Sequence, residues 1–479
     1  MKIAQTPRRT KIVATLGPAT DASGVLEALI REGVDVVRLN FSHGHADEQL
    51  ERAKQVRELS KALGRHVAIL ADLQGPKIRI AQFKESKVWL EEGAPFVIDV
   101  DMDIAKGDTT QVGCIYKRLA DDVSEGDRLL LDDGRVVLQV DSLNGSKIKC
   151  SVVVGGELSN NKGINLQGGG LSASALTDKD KQDILCAAEM DADYVAVSFP
   201  RNAADMEYAR SLVEKAGSHA QLIAKIERAE ALDVLEEIID ASDAVMVARG
   251  DLGVEIGDAN LPPAQKNIIK LARQRNTTVI TATQMMESMI NNPIPTRAEV
   301  FDVANAVADG TDAVMLSAET SVGKYPVKTV QAMSEICEQA ERQPISTHSK
   351  HRMGKEFKRV DEAIALSAMY VANHAHIRAI AAFTVSGSTP LQMSRISSGI
   401  PIFAMVPDEH ICRRVCLYRG VTPVLSHLPS GCEEDVSQVA MLKLKEYGIV
   451  SEGDVMIVTT GDTIGNEGGT NTMKIVKVG

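Results

Sequence analysis

The sequence predicts an α/β protein, built as a (β/α)8 TIM barrel with an inserted antiparallel β domain and a C-terminal α/β domain. Short apolar runs rich in Val, Ile and Ala recur along the chain, each followed by a longer amphipathic stretch. This alternation is typical of parallel strands separated by helices. One interval between successive runs spans about 120 residues, far more than an ordinary connection, so a separate unit is expected within it.

Eight of these runs fit a closed barrel better than an open sheet, and we assign residues 1–73 and 174–345 to this barrel. A barrel of this kind carries its chemistry at the carboxyl ends of its strands. The predicted strands are 11–17, 35–41, 66–72, 194–199, 221–227, 244–250, 278–284 and 313–317.

Residues 74–173 differ from the predicted barrel in their sequence pattern. Short alternating segments such as KVWL, FVIDV and KIKCSVVV are separated there by Gly and Asp turns. This pattern predicts a small antiparallel β domain.

The remainder of the chain predicts a linker and a third domain. A polar stretch without periodicity follows Arg342. Behind it, residues 346–479 predict an α/β domain, with a helix over 361–375 whose Ala, Leu and Met face is buried. Its predicted strands are 377–385, 401–406, 422–426, 454–460 and 472–478.

Composition excludes several classes of protein. The 479 residues include 53 Lys and Arg against 65 Asp and Glu, a net charge of −12. This charge disfavours nucleic acid as a partner, because such binding depends on cationic side chains. No apolar run approaches the roughly 20 residues that cross a bilayer, so no membrane partner is expected. The basic, polar start does not resemble a secretory signal, and seven scattered cysteines suit the cytoplasm.

Charged and polar side chains cluster where the predicted barrel strands end. Residues two apart in a strand share a face, so Arg38, Asn40 and Ser42 point the same way, as do Lys225 and Glu227. A charge within an apolar strand is costly to bury without a partner, so Arg38 and Lys225 each require either a bound anion or a structural ion pair. The other polar strand ends are Asp72, Gly250 with Asp251, Thr283 with Gln284, and Ser317 with Glu319.

The carboxylates among these residues indicate a divalent cation. Glu227 and Asp251 offer the hard oxygen ligands that suit Mg, which commonly binds through one or two carboxylates plus phosphate oxygens. The residues alone therefore predict Mg-dependent chemistry on a small phosphorylated or carboxylated anion. They do not select the reaction.

Several longer motifs are spread over essentially the whole chain. They are RRTKIVATLGPAT (8–20), VVRLNFSHG (36–44), ADLQGPKIR (71–79), NNKGINLQGGG (160–170), AKIERAE (224–230), MVARGDLGVE (246–255), TATQMMESM (281–289), PTRAEVFDVANAVADGTDAVMLSAET (295–320) and TNTMKI (470–475). In sequence and in order, these motifs resemble the pyruvate kinase family.

The resemblance implies transfer of the phosphoryl group of phosphoenolpyruvate to ADP, giving pyruvate and ATP in the last step of glycolysis. It implies that Arg38 contacts the phosphoryl group, that Lys225 neutralises it during transfer, and that Thr283 with bound water delivers a proton to the enolate. The backbone at Gly250 and Asp251, with Thr283, would receive the substrate carboxylate. Glu227 and Asp251 would hold Mg or Mn. The inserted domain would be a β-barrel lid, hinged near Pro76 and Ala173, that excludes water.

The resemblance also implies a nucleotide site and a monovalent-cation site. The nucleotide-side residues would be Asn40, Phe41, Ser42, His43, Arg79 and Lys162. The potassium ligands would be Asn40, Ser42, Asp72 and the carbonyl of Leu73.

Lys77 is a departure from many members of the family, which have Glu at this position and need potassium. A tethered ammonium could supply the missing cation, so we predict that potassium is not required. The alternative is that Lys77 is a solvated charge at the edge of the lid and potassium is still needed.

The C-terminal domain carries a turn rich in hydroxyl groups, FTVSGSTPLQMS (383–394), between a predicted strand and a helix. Hydroxyls and free amides at a helix start suit a phosphate, although such a turn is commonly only a helix cap. The resemblance implies an allosteric activator site here, formed by Thr384, Ser386, Gly387, Ser388 and Thr389. Fructose bisphosphate, a sugar monophosphate and AMP all remain open as the effector. The resemblance further implies a homotetramer.

Two other functions remain open. One is an Mg-dependent barrel lyase or mutase that acts on pyruvate or phosphoenolpyruvate, which would have no use for a lid and a nucleotide site. The other is a metabolite sensor that binds a sugar phosphate and has lost activity. Arg38, Lys225, Glu227, Asp251 and Thr283 argue against the sensor.

Overall fold

The computed structural model describes residues 8–343, 357–426, 436–461 and 468–479. Most of the linker predicted after Arg342 lies outside these residues. Numbering strands along the chain, the first three are parallel neighbours and are completely buried except at Asn40. They are β1 (Lys11–Thr15), β2 (Val36–Asn40) and β3 (Ala68–Asp72).

The chain then leaves the barrel and forms the inserted domain. Its strands are β4 (Lys87–Leu90), β5 (Pro95–Asp99), β6 (Gln111–Gly113), β7 (Arg128–Leu131), β8 (Val136–Asn144), β9 (Lys147–Val154), β10 (Gly156–Ser159) and β11 (Ile164–Leu166). They pair as a six-stranded sheet, β11-β7-β8-β9-β5-β6, and a two-stranded sheet, β10-β4. All pairs are antiparallel except β5 with β6, which is parallel. Alternate residues of these strands fill a core of their own, separate from that of the barrel.

Five further strands complete the barrel. They are β12 (Tyr194–Val197), β13 (Gln221–Ile226), β14 (Ala244–Ala248), β15 (Thr278–Ala282) and β16 (Ala313–Leu316). The closed order is β1-β16-β15-β14-β13-β12-β3-β2, with every pair parallel. The predicted fold class is confirmed, with each predicted barrel strand present and shorter by one or two residues.

Helices surround the barrel, and several begin with side-chain caps. Thr177 and Thr296 each form a capping box with the acid three residues on, which satisfies free amides at the helix start. The α-helices of this part of the chain are Val25–Arg31, Ala46–Leu63, Asp178–Glu189, Ala203–Lys215, Glu230–Asp233, Leu235–Asp240, Arg249–Ile256, Leu261–Gln274, Arg297–Asp309, Ala318–Ser321 and Pro326–Glu341, with Leu119–Asp122 in the inserted domain. Within the described ranges, no helix is long and apolar enough to cross a lipid bilayer.

The C-terminal domain is a five-stranded sheet with helices. Its strands are β17 (Ala379–Phe383), β18 (Ile402–Val406), β19 (Val421–Leu425), β20 (Val455–Thr460) and β21 (Thr472–Lys477), in the order β19-β18-β17-β20-β21. Only β21 runs antiparallel. The α-helices among the described residues of this domain are Val360–His374, Ser388–Ser394, Glu409–Arg414 and Val436–Glu446.

The C-terminal domain packs against the amino ends of the barrel strands. Lys11, which opens β1, donates to the carbonyl of Val421 at 2.7 Å. The hydroxyl of Tyr194, which opens β12, donates to the carbonyl of Arg414 at 2.5 Å. This end of the barrel is therefore covered, and the carboxyl ends of the strands face the inserted domain.

Candidate active site

Arg38 and Asp72 form a buried ion pair at the carboxyl ends of β2 and β3. Arg38 Nε lies 2.6 Å from Asp72 Oδ2, and its Nη1 donates to the hydroxyl of Thr15 at 3.1 Å. Both side chains belong to adjacent parallel strands, whose register brings their ends to one edge. The structure therefore confines the guanidinium to the mouth of the barrel.

Lys225 lies beside the same carboxylate. Its ammonium is 3.3 Å from Asp72 Oδ1, 2.9 Å from Glu227 Oε1 and 2.7 Å from the hydroxyl of Ser198. The other oxygen of Glu227 accepts a hydrogen bond from the backbone amide of Phe199 at 2.8 Å. Arg38 and Lys225 thus share Asp72 as a common counter-ion, which keeps the two cations close to each other.

The charges of this cluster set its ionisation. Burial disfavours the charged form of Asp72, but Lys225 and Arg38 outweigh burial and lower its pKa below the ordinary value. Burial likewise opposes charge on Lys225, yet Asp72 and Glu227 raise the pKa of its ammonium. Burial raises the pKa of Glu227 while Lys225 opposes that rise, and the negative charge of Asp251 adds to it. The cluster therefore holds Lys225 as a cation and brings two carboxylates, Glu227 and Asp251, within electrostatic reach of each other.

Gly250 and Thr283 join the ends of β14 and β15. The amide of Gly250 donates to the hydroxyl of Thr283 at 2.8 Å, and that hydroxyl donates to the carbonyl of Ala282 at 2.7 Å. Thr283 has φ of 66°, a left-handed conformation that is strained for a β-branched residue. Arg249 holds it there by donating from Nε to the carbonyls of Ala282 and Thr283, at 3.1 and 3.2 Å.

Asp251 differs from its predicted setting. The predicted strand over 244–250 ends at Ala248, and residues Arg249–Ile256 form a helix that begins directly after β14. The predicted strand over 278–284 also ends early, at Ala282. At β15 the strand ends where Thr283 and Gln284 adopt positive φ values of 66° and 54°.

Lys77 pairs with Asp251 rather than with Asp72. The distance between Lys77 Nζ and Asp251 Oδ1 is 3.3 Å. The resemblance implies Asp72 and Leu73 as potassium ligands, but both have other partners. Arg38 and Lys225 flank Asp72. The carbonyl of Leu73 accepts a hydrogen bond from the hydroxyl of Ser198 at 2.8 Å.

The predicted nucleotide-side residues lie on the rim in two groups. The first follows β2: the side-chain oxygen of Asn40 accepts from the amide of Ser42 at 3.1 Å, Phe41 is buried and His43 is exposed. The second belongs to the base of the inserted domain, where Arg79 donates to the carbonyl of Asn161 at 2.8 Å and Lys162 pairs with Asp132 at 2.7 Å.

The hydroxyl-rich turn belongs to the C-terminal domain, where it connects β17 to the helix Ser388–Ser394. The amide of Gly387 donates to Thr384 at 2.9 Å, and Ser388 donates from its amide to Ser386 at 3.4 Å. Thr389 is buried, and its hydroxyl bonds to that of Thr470 at 2.7 Å. The turn is therefore set apart from the barrel mouth, at the domain that covers the opposite end of the barrel.

Sequence reasoning missed Ser198, Arg249 and Glu255 as parts of the site. Ser198 contacts Lys225, Arg249 holds Thr283, and Glu255 accepts from Asn165 of the inserted domain at 3.4 Å. The sequence could have indicated Arg249, since an arginine directly after an apolar strand is costly to bury without partners. Ser198 carried none, because a serine at a strand end is compatible with solvent.

The fold and the mouth together define the class of protein. A (β/α)8 barrel with cations and carboxylates converging at the carboxyl ends of its strands is the architecture of a barrel enzyme acting on an anionic substrate. Residues 7–330 match the family model described as "Pyruvate kinase, barrel domain", and residues 362–476 match "Pyruvate kinase, alpha/beta domain". The chain belongs to the pyruvate kinase family and is a phosphotransferase.

Curated relatives align over nearly the full length. Pyruvate kinase II of Salmonella typhimurium is 56% identical over 476 residues, covering 98% of this chain and 99% of the relative. The pyruvate kinase of Haemophilus influenzae is 55% identical, covering 95% and 96%. That of Corynebacterium glutamicum is 43% identical, covering 98% of each chain.

Proposed function

We propose that this protein transfers the phosphoryl group of phosphoenolpyruvate to ADP, producing pyruvate and ATP as the last step of glycolysis in the cytoplasm. The observation that carries the proposal is the shared counter-ion, since Asp72 holds both Arg38 and Lys225 at the barrel mouth. Phosphoryl transfer asks a protein mainly for alignment and for positive charge around the migrating group. Two adjacent buried cations meet that demand.

The roles of the two cations differ. Arg38 presents a planar guanidinium fixed by Asp72 and Thr15, which suits binding of the phosphoryl oxygens in the ground state. Lys225 carries a compact charge between Asp72 and Glu227, where it would neutralise the phosphoryl group during transfer. Binding and rate would therefore depend on different residues.

The backbone at Gly250 and Asp251, with Thr283, would orient the substrate carboxylate. The amide of Gly250 donates to the Thr283 hydroxyl, whose own proton goes to the carbonyl of Ala282, so an anionic substrate oxygen would replace these partners to accept from the amide and the hydroxyl. Thr283 and bound water would carry a proton to the enolate carbon after transfer.

Glu227 and Asp251 fit a divalent metal. Both are hard oxygen donors, and the repulsion between them is relieved by a divalent cation. Among the described residues no group of three or more His, Cys, Asp or Glu side chains is arranged to hold a metal. Two carboxylates completed by substrate oxygens and water are an arrangement typical of Mg. Bound Mg or Mn would neutralise charge on the phosphoryl oxygens.

Asn40, Phe41, Ser42, His43, Arg79 and Lys162 would form the nucleotide side of the cleft. Their position at the rim between β2 and the base of the inserted domain supports this assignment. The inserted domain, residues 74–173, would close over them as a lid that excludes water, which would otherwise hydrolyse the phosphoryl group.

Potassium would not be required, because Lys77 provides a tethered cation at the root of the lid. Its ammonium is already paired with one carboxylate of the site. The proposed Asn40, Ser42, Asp72 and Leu73 set would then be a remnant of a cation site rather than a working one.

A phosphorylated effector, either a sugar phosphate or AMP, would activate the enzyme from the C-terminal domain. The turn formed by Thr384, Ser386, Gly387 and Ser388 offers hydroxyls and amides in one place. Thr389 would contribute through its backbone amide, since its hydroxyl is engaged by Thr470.

Self-association, as a homotetramer, would cover an apolar face of the barrel. Phe301 on the helix Arg297–Asp309 is 69% exposed and Ile294, which precedes that helix, is 71% exposed. A shallow groove lies between this helix and Pro326–Glu341, lined by Val300, Ala304, Ile336 and Ala340. Large exposed apolar side chains beside such a groove are typical of a protein interface.

The reaction can be tested with phosphoenolpyruvate, ADP and Mg in an assay coupled to lactate dehydrogenase. Pyruvate formation that depends on ADP is expected. A lyase or mutase would act on the substrate without ADP, and a sensor would bind a sugar phosphate and form no pyruvate. Either result would contradict the proposal.

A further inference from the structure

Ser198 lies at the centre of the contacts that fix Lys225. It follows β12 directly, is almost completely buried, and its hydroxyl is 2.7 Å from Lys225 Nζ and 2.8 Å from the carbonyl oxygen of Leu73. A hydroxyl has one proton. Because that proton is donated to Leu73, a lone pair of the oxygen is directed at the ammonium.

The backbone around Ser198 is constrained on both sides. Phe199 has φ of 56°, an uncommon conformation for a bulky side chain, and its amide is held by Glu227 at 2.8 Å. A strained residue of this kind persists only where its surroundings over-determine it, and such residues cluster at functional sites. The hydroxyl of Ser198 therefore has little freedom to turn away.

The first connection to the lid packs on the same residue. Gly75 has φ of 66°, its amide is bound by Asp180 at 3.0 Å, and a Cβ built on it would lie 2.7 Å from the Cβ of Ser198. Leu73, whose carbonyl accepts the Ser198 hydroxyl, belongs to the same connection. Ser198 thus touches both the lid root and the lysine.

The two carboxylates that contact the Lys225 ammonium also interact with other groups. Asp72 also pairs with Arg38, and Glu227 is one of the two carboxylates that would hold the metal. A metal bound by Glu227 would weaken the ion pair between Glu227 and Lys225. Ser198 is a neutral acceptor, and among the described residues Lys225 is the one cation that donates to it.

We propose that Ser198 is a positioning residue that aims the Lys225 ammonium at the migrating phosphoryl group and ties it to the root of the lid. The inference rests on the proposed function and deepens it. An interaction that acts only when charge moves should affect kcat and leave KM for phosphoenolpyruvate nearly constant, because Arg38 and the Gly250 corner bind the ground state.

The test compares Ser198→Ala with Ser242→Ala in the full-length protein. Ser242 is also buried, and its hydroxyl donates to the carbonyl of Ile238 at 2.7 Å, so it loses the same kind of backbone hydrogen bond far from the site. We expect kcat of Ser198→Ala to fall about tenfold or more with KM within about threefold, and Ser242→Ala to keep its kcat.

Several outcomes would overturn the inference. They are an unchanged kcat in Ser198→Ala, a change confined to KM, or an equal loss of kcat in both serine variants. Failure of the proposed function is a separate result, because the wild-type protein would then form no pyruvate from phosphoenolpyruvate and ADP.

A second pair of variants decides the question if Ser198→Ala does not fold. Gly75→Ala would press on Ser198, whereas Gly93→Ala imposes a similar left-handed strain, at φ of 78°, with no atom within 4 Å of the added Cβ. A kcat loss of about tenfold in Gly75→Ala alone would support the inference. Equal kcat values in the two glycine variants would overturn it.

Discussion

The ammonium of Lys77 lies 3.3 Å from the carboxylate of Asp251, linking the root of the inserted domain to the helix that follows β14. The pair is partly exposed, so its net contribution to stability is small. Its significance is electrostatic: a cation carried by the chain stands beside a carboxylate that the proposed metal would share. Lys77 therefore contributes a positive charge to the mouth that needs no free ion.

This charge predicts activity without potassium. A unit charge about 4 Å from its partner is worth roughly 4 kcal/mol gross at an effective dielectric of about 20. We expect the rate in potassium-free buffer to change less than about twofold when potassium is added, on this electrostatic argument. Lys77→Glu should become potassium-stimulated, whereas Lys84→Glu, at an exposed position of the inserted domain, should behave as wild type. A large stimulation of the wild-type enzyme by potassium would refute the prediction.

Lys225→Met removes the buried ammonium while keeping most of its volume. We expect turnover to fall by about 100-fold or more, the cost of one lost electrostatic donor, with Mn binding still measurable by calorimetry. Lys270→Met, at an exposed position on the helix Leu261–Gln274, serves as the control and should retain full turnover. Near-normal turnover in Lys225→Met would remove this lysine from the mechanism.

The fold and the barrel part of the site could be predicted because they follow from short-range periodicity. Arg38 and Lys225 stand inside apolar strands, and a parallel barrel brings all strand ends to one mouth. Their common partner Asp72 ends β3, which is adjacent to β2 and separated from β13 by β12 alone, so the cluster follows from topology once the strands are assigned.

Contacts that depend on the path of loops could not be predicted in this way. Thr283 adopts a left-handed conformation that its own propensity opposes, because Arg249 fixes the carbonyls on both sides. The glycines around Asp251 favour a turn, but tertiary packing continues them as a helix. The pairing of Lys77 with Asp251 and the hydrogen bond from Ser198 to Leu73 both depend on the path of the chain from β3 into the inserted domain.

Ser386→Glu tests the proposed effector site. A carboxylate placed in the turn would repel a phosphate, so activation by a sugar phosphate or AMP should be lost, with the activation ratio falling to about one. Ser367→Glu adds the same charge at an exposed position of the helix Val360–His374, and activation should persist there. The measurement is the initial rate at subsaturating phosphoenolpyruvate, with and without each effector. Equal activation in both variants would place the effector elsewhere.

Phe301→Glu tests the apolar face of the barrel. A charge in the centre of a buried interface would lack a partner, so we expect the assembly to dissociate into smaller species. Sedimentation velocity or light scattering would measure the change in mass. Tyr208→Glu, at an exposed aromatic residue on the helix Ala203–Lys215, should leave the mass unchanged. A wild-type protein that sediments as a monomer would contradict the proposed homotetramer.

Glu255 connects the inserted domain to the barrel, and folding changes the pKa of its carboxyl group. One oxygen accepts from the amide of Ala229 at 2.8 Å and the other from Asn165 at 3.4 Å. Burial raises the pKa of Glu255 to about 7, and the nearby charge of Glu230 adds to this, while Arg228 and the two hydrogen bonds oppose it.

Glu255→Gln should therefore change how stability varies with pH. A carboxyl group with a raised pKa stabilises the folded state below its ordinary pKa and loses that contribution as pH rises through about 7. The unfolding free energy of the wild type should thus fall relative to that of Glu255→Gln between pH 5 and pH 8, by on the order of 3 kcal/mol. The fluorescence of Trp89, the single tryptophan and part of the inserted domain, can follow urea unfolding at both pH values. Glu92→Gln, at an exposed position of the same domain, should show a constant difference from wild type. The same constant difference in Glu255→Gln would mean that this carboxyl group is ionised alike in the folded and unfolded chains, and that the lid contact through Asn165 does not depend on its proton.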